Sequence, residues 1–140
     1  MRKKLETVWD KDTIFPKTIR ADHDPLSKGQ CGVSAAYLAK ELIEQGYGIV
    51  YCEGRVDFPI AEQSIDDHCW IRTDDQTKNA VIIDLTADQN HFATPVLCAT
   101  EAALKEKGIV FHIRREGPLT NITHENFLQR LQILTDKIAL

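Results

Sequence analysis

Cys31 is the residue whose position most favours chemistry. It follows a polar loop that ends at Gly29 and lies in the first turn of a predicted helix over 30–45. The unpaired N–H groups and the dipole at a helix start stabilise a negative charge, and they therefore lower the pKa of a thiol there. We interpret Cys31 as a nucleophile. The alternative is an inert buried thiol that packs as a small hydrophobe.

A thiolate nucleophile needs a base, and the base needs a group that orients it. His68 and Asp84 meet this need if the strands predicted over 67–72 and 80–85 form a hairpin. A symmetric hairpin would set His68 directly opposite Asp84, with their Cβ atoms about 5 Å apart. The residue types and spacing thus predict a Cys31, His68 and Asp84 triad. The alternatives are a structural histidine and an aspartate that caps the following turn.

Strand alternation also predicts the surroundings of this pair. Trp70 and Ile82 fall on the same face as His68 and Asp84, so Trp70 is expected to line the site. Packing of this face against the helix at 30–45 would bury the pair and limit screening by water. An aspartate at the end of an apolar strand is costly to bury without a partner. We therefore expect the pair to lie beneath the helix.

Three short motifs resemble the transglutaminase-like group of the papain-like cysteine superfamily. Residues 29–35 read Gly-Gln-Cys-Gly-Val-Ser-Ala and resemble the nucleophile motif, in which Gly-Gln-Cys opens the central helix. Residues 68–70 resemble the histidine strand, written His-x-Trp, and residues 83–89 resemble the aspartate strand, written Asp-x-Thr-x-x-Gln. Small bacterial proteins of the YunG-like group are also similar. The three motifs occur in the family's order.

The resemblance implies an α+β, papain-like (transglutaminase-like) fold over 1–140, with a central N-terminal helix on an antiparallel sheet and with C-terminal helices. It implies acyl transfer at an amide or ester, in which Cys31 attacks the carbonyl, His68 moves the proton and Asp84 orients the imidazole. Peptidase, amide hydrolase, deamidase and transglutaminase-type activities share that acyl-enzyme, so a peptide, a protein or a small amide or ester is the expected substrate. The alternative is a non-catalytic binding module in which the same residues form a structural polar network.

The chain departs from the family pattern at Gly32, where large transglutaminases have Trp. Papain-type proteases place an oxyanion glutamine about six residues before their cysteine, and this chain has Pro25 there. The backbone N–H of Cys31 is the expected first donor to an oxyanion. A second donor could come from Gln30 or from the N-terminal arm around Trp9. We therefore expect Gln30 and Gly32 to line the site.

The order of the predicted elements favours an α+β fold. After the helix at 30–45, the pattern predicts strands over 48–51, 54–58, 67–72, 80–85 and 109–113, a helix over 100–107 and a helix from about 123. The apolar residues of the last helix recur at spacings of three and four and define one face, formed by Phe127, Leu131, Leu134 and Ile138.

The other potential metal ligands are expected to be structural. Cys52, Cys69 and Cys98 are interpreted as packing or incidental thiols, with a zinc site built from Cys52, Cys69 and a histidine as the alternative. Asp67 is a candidate for tuning His68. The remaining histidines receive no functional role, and these are His23, His91, His112 and His124.

Composition limits the class of protein. The 140 residues have 43% hydrophobic content and a formal charge of −4, which indicates one globular domain and disfavours a nucleic-acid partner. No apolar run reaches the length of a membrane span, and no signal peptide is evident. These features predict a cytoplasmic protein with free thiols, without a membrane partner, and the motifs imply neither a metal nor another cofactor.

Overall fold

The computed structural model describes residues 1–60, 63–74, 79–90 and 94–140, and the fold is α+β. The strands are β1 (Ile49–Asp57), β2 (Ile65–Thr73), β3 (Val81–Asp84), β4 (Leu97–Thr100) and β5 (Val110–Gly117). The helices are α1 (Arg2–Glu6), α2 (Cys31–Glu44), α3 (Glu101–Glu106) and α4 (Glu125–Ala139), with a short 3-10 helix at Leu119–Asn121.

The strands form one antiparallel sheet in the order β4-β3-β2-β1-β5. One face packs against α2 and α4 in a core that includes Leu38, Ile71 and Leu134. The opposite face carries a second core that includes Trp70 and Leu104, the latter from α3. The sheet therefore separates two apolar layers.

The predicted helix over 30–45 is confirmed as α2, with Gln30 and Gln45 as its flanking residues. Alanine and other good helix formers fill its interior, and Gly46 ends it with a positive φ of 95° that favours glycine. All side chains from Val33 to Ala39 are buried. The N-terminal half of α2 is therefore buried within the fold.

Most of the predicted strands are also present. The two segments predicted over 48–51 and 54–58 form the single strand β1. The predicted helix over 100–107 starts one residue later, because the Oγ1 of Thr100 caps α3 by accepting the N–H of Ala103. The strand β4, which ends at Thr100, was not expected. Of the polar turn predicted between β2 and β3, residues 75–78 lie outside the described residues.

The last helix carries its apolar face as predicted. Leu134 is fully buried in α4, and Phe127, Leu131 and Ile138 pack against the same core. This core also contains buried residues of α2, so α4 lies beside α2 on one face of the sheet. The start of α4 also reaches the cleft that contains Cys31.

The predicted hairpin register is wrong by two residues. The symmetric pairing would set Arg72 opposite Ala80, whereas the structure sets Arg72 opposite Ile82. The side chain of Thr73 holds this register because its Oγ1 accepts the N–H of Val81 at 2.9 Å. A shift of two residues preserves the face of every side chain. His68 therefore keeps the predicted face but is not directly opposite its partner.

The prediction that α2 covers the face of His68 and Trp70 is also wrong. Trp70 and Ile82 pack in the core that contains Leu104 of α3, and the intervening Ile71 packs against α2. Alternation identifies which residues share a face, but it does not identify which helix covers that face. The strand β2 thus presents Cys69 and Ile71 to the core that contains α2.

Within the described ranges, no helix combines the length and the apolar character that a membrane span requires.

Candidate active site

Cys31 is the first residue of α2 and lines a cleft of about 1540 Å³. The preceding loop is fixed by Gly29, whose φ of 79° lies in the left-handed region and whose carbonyl accepts the N–H of Phe15. A Cβ at Gly29 would lie 2.4 Å from the Oγ1 of Thr18, so the loop packs closely there. The half-buried thiol is thus presented to the cleft at the helix start.

His68 and Asp84 form a hydrogen-bonded pair. The Nε2–H of His68 donates to Oδ2 of Asp84 at 2.6 Å, and both side chains are 0% exposed. A carboxylate can only accept, so this bond assigns the Nε2 proton. Asp84 also caps the following turn, because its Oδ1 accepts the N–H of Thr86 at 2.9 Å. The orienting role and the capping role are therefore performed by different oxygens of one carboxylate.

The other ring nitrogen of His68 contacts Gln89. The amide Nε2 of Gln89 donates to Nδ1 of His68 at 2.7 Å. The orientation of this amide is fixed because its Oε1 accepts the N–H of Gly29 at 3.1 Å. Gln89 therefore joins the histidine to the loop that precedes Cys31. The Cys31 thiol interacts with the same imidazole, so the thiol and the amide share the His68 side chain.

The charges of this group favour a thiolate and an imidazolium. A hydrogen bond with the Cys69 thiol lowers the pKa of Cys31, burial opposes this, and the interaction with His68 lowers the pKa further, to well below the ordinary value. Burial alone would lower the pKa of His68, but the Asp84 carboxylate and Cys31 raise it to about 10. These charges favour an ion pair at neutral pH, whereas the hydrogen bond from the Gln89 amide to Nδ1 favours the neutral imidazole.

Cys69 is a residue that the sequence reasoning missed. Its thiol interacts with the Cys31 thiol and with Tyr51 closely enough to shift the pKa of each group. The hydrogen bond to Cys31 and burial raise the pKa of Cys69 well above the ordinary value, so Cys69 stays protonated and donates to the Cys31 thiolate. The interpretation as an incidental thiol is replaced by this placement. Alternation predicts only that Cys69 lies on the opposite face from Trp70, and it does not identify α2 as the helix that covers that face.

Asp67 has a different role from the predicted one. Its carboxylate forms an ion pair with Arg114 at the surface instead of contacting the imidazole of His68. Its backbone has a φ of 51°, which is uncommon outside glycine, and its carbonyl lies 4.0 Å from the Sγ of Cys31. Asp67 therefore affects the site through the backbone that precedes His68.

The three predicted lining residues have different positions. Gln30 is buried away from the cleft, where its Oε1 accepts the Thr13 hydroxyl proton at 2.9 Å and its Nε2 donates to the carbonyl of Asp10. Gly32 lines the cleft. Trp70 is fully buried behind His68, with ring centroids 6.1 Å apart, and does not line the cleft. Trp70 therefore supports the histidine from the opposite side.

Trp9 is likewise engaged elsewhere. Its indole N–H donates to the Oγ of Ser34 at 2.9 Å. Trp9 and Gln30, the two candidates for a second oxyanion donor, therefore both have partners elsewhere. N–H groups in the first turn of a helix have no intrahelical acceptor.

The absence of a side chain at Gly32 has a steric reason. A Cβ at this position would lie 2.9 Å from Cε2 of Phe127 and 3.5 Å from the hydroxyl of Tyr51. Phe127 thus occupies the space beside the nucleophile, and it makes an edge-to-face contact with Tyr51 at 6.4 Å. An aromatic ring from α4 packs where a side chain at position 32 would otherwise lie.

The alternative of a zinc site built from Cys52 and Cys69 is wrong. Cys52 pairs with Trp70 across the strands and is buried in the same core, whereas Cys69 packs on the opposite face. Within the described ranges, no three His, Cys, Asp or Glu side chains lie close enough to hold a metal. Cys98 is exposed at the edge strand β4.

The other histidines that the structure describes lie apart from the pair formed by His68. The Nε2 of His112 bonds to Asp57 at 2.8 Å at the surface, and His124 flanks the start of α4 at the edge of the cleft. His23 lies in the loop before α2, and His91 lies outside the described residues. Asp57 and His112 therefore provide an exposed counterpart to the buried pair.

No known family model matches this chain, and neither a curated protein nor a solved structure has significant similarity to it.

Proposed function

We propose that this protein is a thiol enzyme that transfers an acyl group from an amide or ester, with Cys31, His68 and Asp84 as its triad. The observation that carries the proposal is the buried bond between His68 and Asp84 at 2.6 Å, and the electrostatic interaction of the Cys31 thiol with the same imidazole supports it. The proposal also includes a fold and a mechanism of the kind found in transglutaminase-like and papain-like enzymes, which the chain resembles in its motifs.

The proposed reaction begins with attack of the Cys31 thiolate on the substrate carbonyl. The oxyanion of the tetrahedral intermediate accepts hydrogen bonds from the N–H groups at the start of α2. The imidazolium of His68 then donates its Nδ1 proton to the leaving amine or alcohol, and a thioester remains on Cys31. Water or an amine resolves this thioester, with His68 accepting the proton from the incoming nucleophile.

Gln89 must release Nδ1 of His68 during this cycle. Nδ1 accepts the Gln89 amide N–H in the structure, and it cannot accept this bond while it carries the proton. Because the ring is held by Asp84 on its other side, Gln89 is the group that moves. The proposal therefore has the Gln89 amide bonded to Nδ1 only while His68 is neutral.

A second candidate function rests on the same contact. Both ring nitrogens of the fully buried His68 have protein partners, as in a structural polar network. A binding module would use the cleft to hold a peptide or protein without turnover. In that case Cys31 would form no covalent intermediate.

The test is a search for the thioester. The protein is incubated with a panel of activated esters and peptide amides, quenched in acid and examined by peptide mass spectrometry, with release by hydroxylamine as confirmation. We expect acylation at Cys31 that disappears in Cys31→Ala and persists in Cys98→Ala, since Cys98 is an exposed thiol distant from the cleft in the fold. Acylation that is equal at both cysteines, or absent from both, would contradict the proposal.

A further inference from the structure

Arg130 is a buried cation in the cleft of Cys31. Its side chain lines the cleft although the residue is only 8% exposed. Its Nε donates to Oδ1 of Asn126 at 2.9 Å, one turn earlier in α4. Among the residues that the structure describes, its two Nη groups have no acceptor and its charge has no carboxylate partner. The guanidinium therefore keeps two donor groups for a ligand.

The neighbouring arginines differ from Arg130 because they are paired. Arg114 forms ion pairs with Glu53 and Asp67, and Arg115 forms an ion pair with Glu53. Both are more than half exposed, so water also solvates them. A buried charge without a counterion is costly, whereas an exposed and paired charge is not. The cost at Arg130 requires an explanation that the other two arginines do not.

Aromatic rings hold the guanidinium in place. Its carbon lies 5.7 Å from the ring centroid of Phe15 and 5.4 Å from that of Phe127. Phe127 also packs against Gly32, the residue after the nucleophile. The charge of Arg130 interacts with the thiol of Cys31, which places the two groups in one part of the cleft. The cation thus lines the same cleft as the thiol that would attack a substrate.

We propose that Arg130 binds a carboxylate of the acyl substrate and selects substrates that carry one near the scissile carbonyl. A single guanidinium neutralises one negative charge, and its parallel N–H groups match a carboxylate in two-point geometry. This inference rests on the proposed function, because the ligand it names is a substrate of Cys31. It adds a specificity group that is not part of the triad.

The first test does not depend on turnover. Iodoacetate carries a carboxylate and iodoacetamide is its neutral counterpart, and both alkylate Cys31. The ratio of their rate constants at Cys31 is measured by peptide mass spectrometry in the wild type and in Arg130→Met. Methionine keeps an unbranched apolar stem between the two phenylalanine rings. Division by the iodoacetamide rate removes any change in thiol reactivity itself.

We expect the iodoacetate to iodoacetamide ratio to fall by about tenfold in Arg130→Met. The matched control is Arg115→Met, which removes a cation from the same cleft that is already paired with Glu53. This control should change the ratio by less than about twofold. An equal effect of both variants would indicate that any cationic side chain in the cleft attracts iodoacetate, which would contradict a specific site at Arg130. No effect of Arg130→Met would overturn the proposal.

Thermal unfolding separates binding from a structural role. Because Arg130 is a buried cation without a carboxylate partner among the described residues, its replacement by methionine should leave the Tm unchanged or raised. A structural clamp between Phe15 and Phe127 would instead lower the Tm and leave the alkylation ratio unaltered. That combination would overturn the proposal.

The second test uses peptide esters once a substrate is found. Matched peptides contain Glu or Gln beside the ester and end in either a free or an amidated C-terminus, so that the two sources of a carboxylate are separated. We expect kcat/KM to fall about tenfold in Arg130→Met for the peptide whose carboxylate Arg130 binds, which is either the Glu peptide or the peptide with a free C-terminus. For the fully neutral peptide, kcat/KM should change little. Equal losses for all peptides would contradict the inference. If no ester is hydrolysed, the proposed function fails, while the alkylation ratio still tests Arg130.

Discussion

The imidazole of His68 is bound to the carboxylate of Asp84 by a 2.6 Å hydrogen bond that water does not reach, since both side chains are 0% exposed. The bond crosses two strands that pair at Ile71 with Ile83 and at Arg72 with Ile82. A buried pair of this kind is much more sensitive to the loss of one partner than an exposed pair.

Asp84→Asn is therefore expected to lower the free energy of unfolding by about 3–5 kcal/mol at neutral pH. Because the pKa of His68 is raised to about 10 in the folded protein, the stability from its protonated form is present below the ordinary histidine pKa and is lost as the pH rises through about 10. The difference between the variant and the wild type should shrink over that range. Urea unfolding across pH measures both effects.

The control for this variant is Asp57→Asn, which removes the carboxylate from the exposed pair with His112. Exposed ion pairs contribute little, so only a small change is expected. Equal destabilisation by the two substitutions would show that the burial of Asp84 has no special consequence.

Cys69→Ala is expected to shift the alkylation profile of Cys31 to higher pH without abolishing it. The hydrogen bond from the Cys69 thiol is the largest cause that lowers the pKa of Cys31, while the interaction with His68 is retained in this variant. The rate of iodoacetamide labelling against pH gives the midpoint. An unchanged midpoint would mean that the Cys69 thiol does not stabilise the thiolate.

Gln89→Met is expected to shift the same profile in the opposite direction. The Gln89 amide donates to Nδ1 of His68 and so favours the neutral imidazole. Removal of this donor leaves Nδ1 free to keep its proton beside the Cys31 thiolate, so reactivity should extend to lower pH. A midpoint at higher pH would show instead that Gln89 supports the ion pair.

Gly32→Ala is expected to lower the free energy of unfolding by about 1–3 kcal/mol, because the new Cβ would overlap Phe127. Alanine is otherwise the better helix former, so the loss would report the steric contact. Gly48→Ala serves as the control, since its Cβ would meet only the Cβ of Asp74 at 3.4 Å. Combining Gly32→Ala with Phe127→Leu should recover part of the loss; destabilisation that Phe127→Leu does not relieve would argue against this contact.

Much of the site could be predicted because it depends on local patterns. The helix that starts at Cys31 follows from propensity, and the shared face of His68 and Asp84 follows from alternation. The register could not be predicted from symmetry, because it depends on the side chain of Thr73 and the start of β3. The helix that packs on Trp70 could not be predicted either, because a strand pattern does not identify which helix covers each face.

The residues that were missed reach the site from distant parts of the chain. Arg130 belongs to a helix about one hundred residues after Cys31, and only the packing of α4 beside α2 brings it to the cleft. Arg130 lies three residues after Phe127 and four before Leu134, at the edge of the apolar face, where the charge of an arginine is ordinarily solvated. Its burial between two aromatic rings is a property of the tertiary structure alone.

The pH dependence of Cys31 alkylation by iodoacetamide tests the central claim most directly. Peptide mass spectrometry follows Cys31 in the wild type, in His68→Ala and in the control His112→Ala, with Cys98 as an internal exposed thiol. The account predicts a reactive plateau that reaches well below pH 7 in the wild type and in His112→Ala and that collapses in His68→Ala. A Cys31 rate that rises only above about pH 8, as for an ordinary thiol, and that ignores the loss of His68 would contradict it.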